Sequence, residues 1–474
     1  MMKYCLILVI ILSIFSFASR AQYGSFGLTD ARQLGLGNTY ATNSRELYAA
    51  GKNPSLLAYR VSDRELSILF PSLSARAYNI SKVTNFFNDF FSQRPLEIIT
   101  GIDGSIIKKA FENGGKLSLG LQIGFLAVGY TPGEKIGAFS FAMKDYLKGF
   151  IQLPKSLVKY NNSKGDFSAV YFKDFAFKIS WIRSYELSYG KAFYLDPGTG
   201  IQAVYAGLGV KYINGYMYND IRFSGGAGYK DVNGILTGAY KANATSAYSD
   251  DINIDNAFNG EEVVSNAPFM DPVGQGFGID LGLTLLLNPG LKVGVSVTDA
   301  GFIDWRGKTK KTLISGVIRL DSTLSLDDID SLAKLIVIEK ESENDFRTQP
   351  PCALHLGFSF MVDRFVRNFP GELNVAFEIH QGISRAIENP EQPRLALGVD
   401  WKPGSHWPVF LTGITNGQIE DLSWSLGIGY ELKFLEIYIA SPNMIPTFKG
   451  ESMQSLSLSM CWHFIKNKPD IKRD

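Results

Sequence analysis

Residues 455–464 read SLSLSMCWHF, and the alternation in this stretch decides the fold. Large apolar side chains occupy every second position from Leu456 to Phe464, and small or polar side chains occupy the positions between them, from Ser455 to His463. Because successive side chains of a β-strand point to opposite faces, such a strand has one apolar face and one polar face. In a membrane β-barrel a strand of ~10 residues crosses the bilayer with lipid on its apolar face and the lumen on the other.

Four further segments repeat this alternation: 279–288, 373–380, 395–401 and 422–431. One such segment also fits a half-buried strand of a soluble β-sandwich or propeller, but five near membrane-spanning length favour an all-β, transmembrane outer-membrane β-barrel. We predict about 14 antiparallel strands, an even number that is usual for these barrels. They lie near 65–79, 116–130, 135–145, 170–195, 199–213, 276–288, 291–301, 351–363, 373–386, 394–403, 408–415, 422–431, 435–441 and 453–464.

The connections between the predicted strands alternate in length. Short turns that contain Pro and Gly occur at 131–133, 196–198, 288–290, 369–371 and 403–404, and longer pieces occur at 80–115, 146–169, 214–275 and 302–350. Short periplasmic turns and long external loops are typical of outer-membrane barrels. No apolar run in the mature chain approaches the ~18 residues of a membrane-spanning helix, which excludes a helical membrane protein.

The N-terminus carries the features of a cleavable signal peptide over residues 1–21. Lys3 precedes the apolar run Leu6–Phe17, and Ser19 and Ala21 are the small residues of a cleavage site. A membrane anchor is the alternative, but the run is shorter than the ~20 residues that a spanning helix needs. We therefore expect export, cleavage and residence in the outer membrane of a Gram-negative bacterium.

Residues 22–60 do not alternate, and they contain many Gly, Leu and Ala residues. We predict that they form an N-terminal plug, because a wide barrel has a lumen that something must fill if it is not an open pore. A periplasmic tail is the alternative. Residues 61–464 then form the barrel, and residues 465–474 form a charged periplasmic tail.

The segment Asn53-Pro54-Ser55-Leu56-Leu57 follows the Gly-rich lead Arg32–Gly37. It resembles the NPAGL element in the N-terminal hatch of the FadL/TodX family of hydrophobic-compound channels, and it is similar to PorV-type barrels of Bacteroidota, although Ser-Leu replaces the usual Ala-Gly. Residues 276–282 and 296–305 resemble a Bacteroidota outer-membrane family of unassigned function. The resemblance implies a barrel with a plug and names no ligand. Its plug or hatch candidates are Asn53, Pro54 and Leu56.

The polar positions of the alternating strands give a set of candidate lumen residues. They are Lys178, Asp280, Glu378, His380, Asp400 and Glu431. Such residues can line a ligand path, or they can merely bond one another, water or the plug. Near the end of one strand, Asp299 is predicted to cap a turn, and Trp305 is predicted to join the aromatic belt at the membrane interface.

Several other chemistries lack their motif. No spacing of Ser, His and Asp selects a catalytic triad, so no enzyme is predicted. CxxC, HExxH and clustered His are absent from the sequence, so neither a metal nor a cofactor is predicted. Gly274–Gly278 lacks the spacing of a dinucleotide site, and the acidic residues from Asp321 to Asp330 fit a solvated loop better than a calcium site. A net charge of +1 excludes the usual nucleic-acid surface.

Two functions fit these observations. The leading hypothesis is passive passage of small hydrophobic molecules through a plugged barrel, with outer-membrane lipid and a small hydrophobic ligand as partners. The alternative is a scaffold barrel that serves the proteins of a secretion or surface-assembly machine. Passage requires a partly apolar path beside the plug or a gap in the wall, whereas a scaffold requires a large apolar patch on the external loops.

Overall fold

The computed structural model describes residues 30–61, 64–78, 116–152, 170–171, 175–196, 198, 200–230, 236–252, 269–288, 290–320, 337–384, 386, 389, 393–416, 422–448 and 455–465. The predicted signal peptide, the start of the predicted plug, the loop at 80–115, the acidic residues from Asp321 to Asp330 and the charged tail from residue 466 lie outside the described residues. No helix in the described part of the chain is both long and apolar enough to cross a membrane.

The described residues form nineteen strands in a single sheet. The strands are β1 (Arg64–Tyr78), β2 (Lys116–Gly133), β3 (Gly137–Gln152), β4 (Val170–Tyr171), β5 (Ala176–Tyr194), β6 (Ala203–Lys230), β7 (Leu236–Tyr248), β8 (Gly274–Asn288), β9 (Leu291–Trp305), β10 (Thr309–Leu320), β11 (Val337–Ser342), β12 (Phe346–Thr348), β13 (Ala353–Met361), β14 (Glu372–Gly382), β15 (Arg394–Lys402), β16 (Val409–Asn416), β17 (Leu422–Glu431), β18 (Leu435–Ser441) and β19 (Ser455–Ile465). Three short helices lie in the N-terminal segment, at Ala31–Gly35, Glu46–Ala49 and Pro54–Ala58, and two others lie at Val362–Arg364 and Ile445–Phe448.

Fourteen of these strands close into an antiparallel barrel, in the order β1, β2, β3, β5, β6, β8, β9 and then β13 through β19. The pairing of β1 with β19 closes the ring, with Leu73 opposite Leu458. Each of the fourteen strands overlaps one of the fourteen predicted strands, so the predicted barrel is confirmed. The short turns lie together at one end of the ring and the long connections lie at the other.

The other end carries a second structure, which the sequence pattern did not predict. Strand β6 pairs with β8 through Gly215 and then continues to Lys230, where it pairs with β7 instead. Strand β10 joins β7, and β11 joins β10. We call β7, β10, β11 and residues 216–230 of β6 the outer sheet. The prediction that 214–275 and 302–350 are loops is therefore wrong for these stretches.

The two faces of the barrel wall differ in burial as the alternation predicts. On β19, Ser457 and Ser459 are buried, whereas Leu458 between them is partly exposed and Trp462 and Phe464 are exposed. Outward apolar side chains recur around the ring. So much exposed apolar surface is stable without a protein partner when it faces lipid. The outward side chains include Leu187, Leu208, Val210, Leu281, Leu283, Val293, Leu356, Phe410, Ile428 and Ile439. The barrel is therefore a transmembrane one.

Residues 30–58 are buried throughout, except for the half-buried Arg45. The helix Ala31–Gly35 contacts β16, β17, β18, β19 and β1, whereas the helix Pro54–Ala58 contacts β3, β5, β6 and β8. These two sets of strands lie on different arcs of the ring, so this N-terminal segment reaches from one side of the wall to another. It packs closely because glycines replace side chains on the inner wall: a Cβ at Gly207 would overlap the backbone of Pro54 and Ser55.

Candidate functional site in the lumen

Asn53 fixes the N-terminal segment to the wall. It precedes the helix Pro54–Ala58, where its side chain accepts a hydrogen bond from the N–H of Ser55 at 3.2 Å, and a proline at the first helical position loses nothing because its missing N–H has no partner there anyway. The Asn53 amide also donates to the Ala41 carbonyl at 2.6 Å and to the Thr284 hydroxyl of β8 at 3.0 Å. Leu56 is buried against Ala49 and Ala138.

Ser55, at the position where the NPAGL element of FadL/TodX channels has alanine, takes part in the same contacts. The Ser55 hydroxyl donates to Asn53 Oδ1 at 2.6 Å and lies 2.9 Å from the Thr284 hydroxyl. An alanine could make neither contact. The sequence of this chain therefore adds a hydrogen-bonded link between the segment and β8.

Near the short-turn end, two arginines meet two glutamates. Arg45 of the segment lies 2.5 Å from Glu431 and 3.4 Å from Glu436, and Arg64 of β1 lies 2.5 Å from Glu436. Burial opposes the charge of Arg45, but the carboxylates of Glu431 and Glu436 raise the pKa of Arg45 well above its ordinary value. Lys402 also donates to Glu431 at 2.9 Å. The predicted residue Glu431 thus binds the segment.

Asp400 and Asp30 hold further cations of the same segment. Arg32 lies 3.2 Å from Asp400 of β15, which also accepts a hydrogen bond from Asn374 at 3.2 Å. Lys52 is paired with Asp30 within the segment. Burial lowers the pKa of Lys52, although the carboxylate of Asp30 opposes that shift.

Asp280 belongs to a buried group that joins β6, β8 and β9. Lys211 of β6 lies 2.9 Å from Asp280 and 2.5 Å from Asp299, and Asp280 accepts the backbone N–H of Asp299 at 2.7 Å. Asp299 lies within β9, with a positive φ of 57°. The prediction that Asp299 caps a turn is therefore wrong, and Lys211 was not predicted.

A β-bulge explains why the predictions for Asp299 and Trp305 are wrong. The register of β8 with β9 shifts between Ile279 and Leu281, opposite Asp299. An extra residue turns all later side chains of the strand to the opposite face. Trp305 consequently points inward and is 1 % exposed, packed against Tyr218 and Phe346. Its predicted place in the membrane-interface belt is wrong.

Lys178 lies beside a cavity of about 330 Å³ near the long-connection end. Its amine is 4.0 Å from the carboxylate of Asp220, and Trp305, Tyr218 and Arg347 also line the space. Polar and apolar side chains both line the cavity, which is partly surrounded by protein.

Glu378 and His380 of β14 lie next to His355 of β13, a residue that the sequence analysis did not select. Glu378 accepts the backbone N–H groups of Tyr40 and Ala41 at 2.6 and 2.7 Å and lies 3.1 Å from His355 Nδ1. His355 could have been found from the hairpin alone, because it is directly opposite His380 in the β13–β14 pairing. Alternation by itself gives the face of a residue but not its cross-strand partner.

A separate apolar groove of about 800 Å³ lies in the wall formed by β14 to β19. Outward side chains form its rim, among them Phe410, Thr412, Leu426, Ile428 and Ile439. Inward residues form its floor: Leu411, Gly427 and Ala440. Leu411 and Ala440 pack in one apolar cluster with Ala31 and Leu36 of the N-terminal segment. The floor of the groove is therefore formed by side chains that pack, on their other side, against the N-terminal segment.

Comparison with solved structures finds matches of low similarity over nearly the whole length of both chains. The Ralstonia pickettii toluene transporter TbuX has a TM-score of 0.44 at 11 % identity, with 92 % of this chain and 98 % of that chain covered. The Pseudomonas putida toluene transporter TodX gives 0.42 at 11 %, covering 94 % and 99 %. A Pseudomonas aeruginosa FadL homologue gives 0.43 at 12 %, covering 94 % and 100 %. These values are too low to transfer a ligand to this chain.

No curated protein matches the sequence. A comparison with family models identifies the family. The model of a family of unknown function, DUF5723, matches residues 59–441, which contain all the barrel strands except β19. The match begins after the Asn53–Leu57 motif, and it assigns no activity. This transmembrane barrel therefore belongs to the DUF5723 family.

Proposed function

We propose that this chain is an outer-membrane barrel of a Gram-negative bacterium through which small hydrophobic molecules pass passively, and that residues 22–60 are its plug. The apolar groove in the wall carries this proposal. Its volume of about 800 Å³ is in the range of small-molecule sites, ~300–1,000 Å³. Its floor residues Leu411 and Ala440 pack on the N-terminal segment, so one layer of side chains separates a molecule in the groove from the lumen.

The buried charges favour a route along the wall over one along the barrel axis. Lys211 with Asp280 and Asp299, and Arg45 with Glu431 and Glu436, occupy the lumen. Removing one partner from a buried pair costs ~3–5 kcal/mol, so parting these groups for an uncharged molecule is unfavourable. An apolar molecule in the groove would displace none of them.

Uptake of a hydrophobic aromatic dye, N-phenyl-1-naphthylamine, tests the proposal in cells with an intact lipopolysaccharide leaflet. The barrel should speed the rise in dye fluorescence relative to cells that lack it. Thr412→Trp fills the groove from outside and should return the rate to that of cells without the barrel. Leu208→Trp, which adds the same bulk at an outward position on β6 away from the groove, should leave uptake unchanged. Equal uptake by all strains would reject the proposal.

The scaffold hypothesis remains a prediction. Phe269, Tyr229 and Val317 are exposed outside the barrel wall, but single exposed apolar residues are ordinary on protein surfaces. No observation on the described residues favours a secretion-machine partner over a small ligand, and we propose no enzymatic activity.

A further inference from the structure

Three side chains that commonly bind metals meet on the inner face of β13 and β14. His355 and His380 are directly opposite each other across the two strands, and Glu378 precedes His380 by two residues on the same face. One ligand atom from each residue lies within 4.8 Å of the other two. All three residues are at most 1 % exposed.

Hydrogen bonds orient two of the three groups. His355 Nε2 lies 3.2 Å from both the Tyr40 and Thr298 hydroxyls, which leaves its Nδ1 facing Glu378 Oε1 at 3.1 Å. The other carboxylate oxygen, Oε2, accepts the N–H groups of Tyr40 and Ala41. Partners of this kind on the far side of a ligand are what hold metal-binding histidines in position.

His380 differs from the other two. Neither of its ring nitrogens has a hydrogen-bond partner among the residues that the structure describes, although the ring is fully buried and stands edge-on to that of His355, with centroids 4.3 Å apart. A buried polar group without a partner is costly and rare in native proteins. The position of this ring beside Glu378 and His355 indicates an electrophilic partner shared by all three.

We propose that His355, Glu378 and His380 bind a divalent transition-metal ion, for which Zn²⁺ is the probe. Two imidazoles and one carboxylate form a recognised zinc ligand set, and a fourth position stays open to water. With metal–ligand distances of about 2.0–2.1 Å, neighbouring ligand atoms in a tetrahedral site lie about 3.3 Å apart. His355 Nδ1 and Glu378 Oε1, at 3.1 Å, are already close to that separation, and a turn of the His380 ring brings in the third ligand.

Two charged side chains, Arg394 and Glu378, bear on a cation at this place. Arg394 is opposite His380 on β15, but its guanidinium donates to the carbonyl oxygens of Gly37 and Asn38, at 3.3 and 3.4 Å. Glu378 supplies the negative charge and would bridge the ion to the N–H groups of Tyr40 and Ala41. A bound metal would therefore fasten the N-terminal segment to the barrel wall.

Metal titration of the untagged, full-length protein, refolded in detergent and stripped with chelator, tests the site. Calorimetry should show one Zn²⁺ per chain, and Co²⁺ should give the visible absorption of a four-coordinate site. His380→Ala removes a ligand that makes no hydrogen bond among the described residues, and it should weaken Zn²⁺ binding by more than the ~10–100-fold that loss of a ligand's hydrogen-bond partner costs. His406→Ala, at an exposed turn, should bind as the unmodified protein does.

Two outcomes of the titration would contradict the metal site. A folded barrel that binds no Zn²⁺, or a His380→Ala variant that binds as tightly as the unmodified protein, overturns the proposal. Heat-dependent gel mobility establishes whether each variant is folded. Should His380→Ala fail to fold, X-ray absorption of the zinc-loaded unmodified protein decides: two imidazole ligands support the site, and a shell without imidazole contradicts it.

Discussion

The barrel wall and the outer sheet are made of the same kind of strand, and β6 runs from one into the other. In the wall, Leu281 is 53 % exposed, and in the outer sheet Val317 is 56 % exposed. The exposures are alike, but we expect the solvents to differ: lipid around the wall, and water around the outer sheet that continues from the end of β6. The comparison shows that an alternating sequence pattern identifies strands that have an apolar solvent on one face. A strand outside the membrane can form without that pattern.

The largest expected difference between the two regions concerns their ion pairs. Lys211→Met leaves Asp280 and Asp299 buried without their cation, which should cost ~3–5 kcal/mol of unfolding free energy. Lys310→Met breaks the exposed pair with Glu341 in the outer sheet, whose two charges lie 2.7 Å apart, and should cost only ~0.2–1 kcal/mol. Urea titration of both variants in liposomes measures the difference. Equal losses would mean that water reaches Lys211.

A charge placed on either outward face tests the solvent directly. Leu281→Arg puts a cation against lipid near the middle of β8 and should cost ~2–4 kcal/mol. Val317→Arg puts the same cation into water and should change the unfolding free energy by no more than ~0.5 kcal/mol. The same titration compares them. A costly Val317→Arg would place the outer sheet in the membrane and end the distinction.

A smaller effect is expected from two glycines of one strand. Gly207→Ala should cost ~1–3 kcal/mol, because the new Cβ overlaps the backbone of Pro54 and Ser55. Gly225→Ala, in the outer part of β6, meets no atom within 4 Å and should be neutral or stabilising by ~0.4–1 kcal/mol. Protease cleavage within residues 30–58 should accelerate in Gly207→Ala only. Unchanged cleavage there would show that the segment does not press on β6.

The fourteen barrel strands could be predicted because lipid imposes the same pattern on each of them, as in residues 455–464. The outer sheet could not, since a strand such as β7 buries mostly small side chains, Ala242 and Ala247 among them, and so shows no run of alternating large apolar residues. The length of the connections at 214–275 and 302–350 indicated where additional structure lies, but it did not predict the strands within them.

The residues of the candidate site could be predicted only in part. Polarity at the inward positions selects Asp280, Glu378 and Asp400, but it cannot identify their partners, since Lys211 and Arg32 come from distant parts of the chain. Trp305 was misplaced because a single bulge near Asp299 reverses the faces of the residues that follow, and one sequence carries no mark of it.

The central claim is that the N-terminal segment closes the lumen, and single-channel recording in planar bilayers tests it most directly. The mature protein should be almost silent to small ions, because residues 30–58 contact both sides of the ring. Removal of residues 30–58 should give a stable open channel. A mature protein that conducts as well as the deletion variant, or a folded deletion variant that stays silent, would contradict the account.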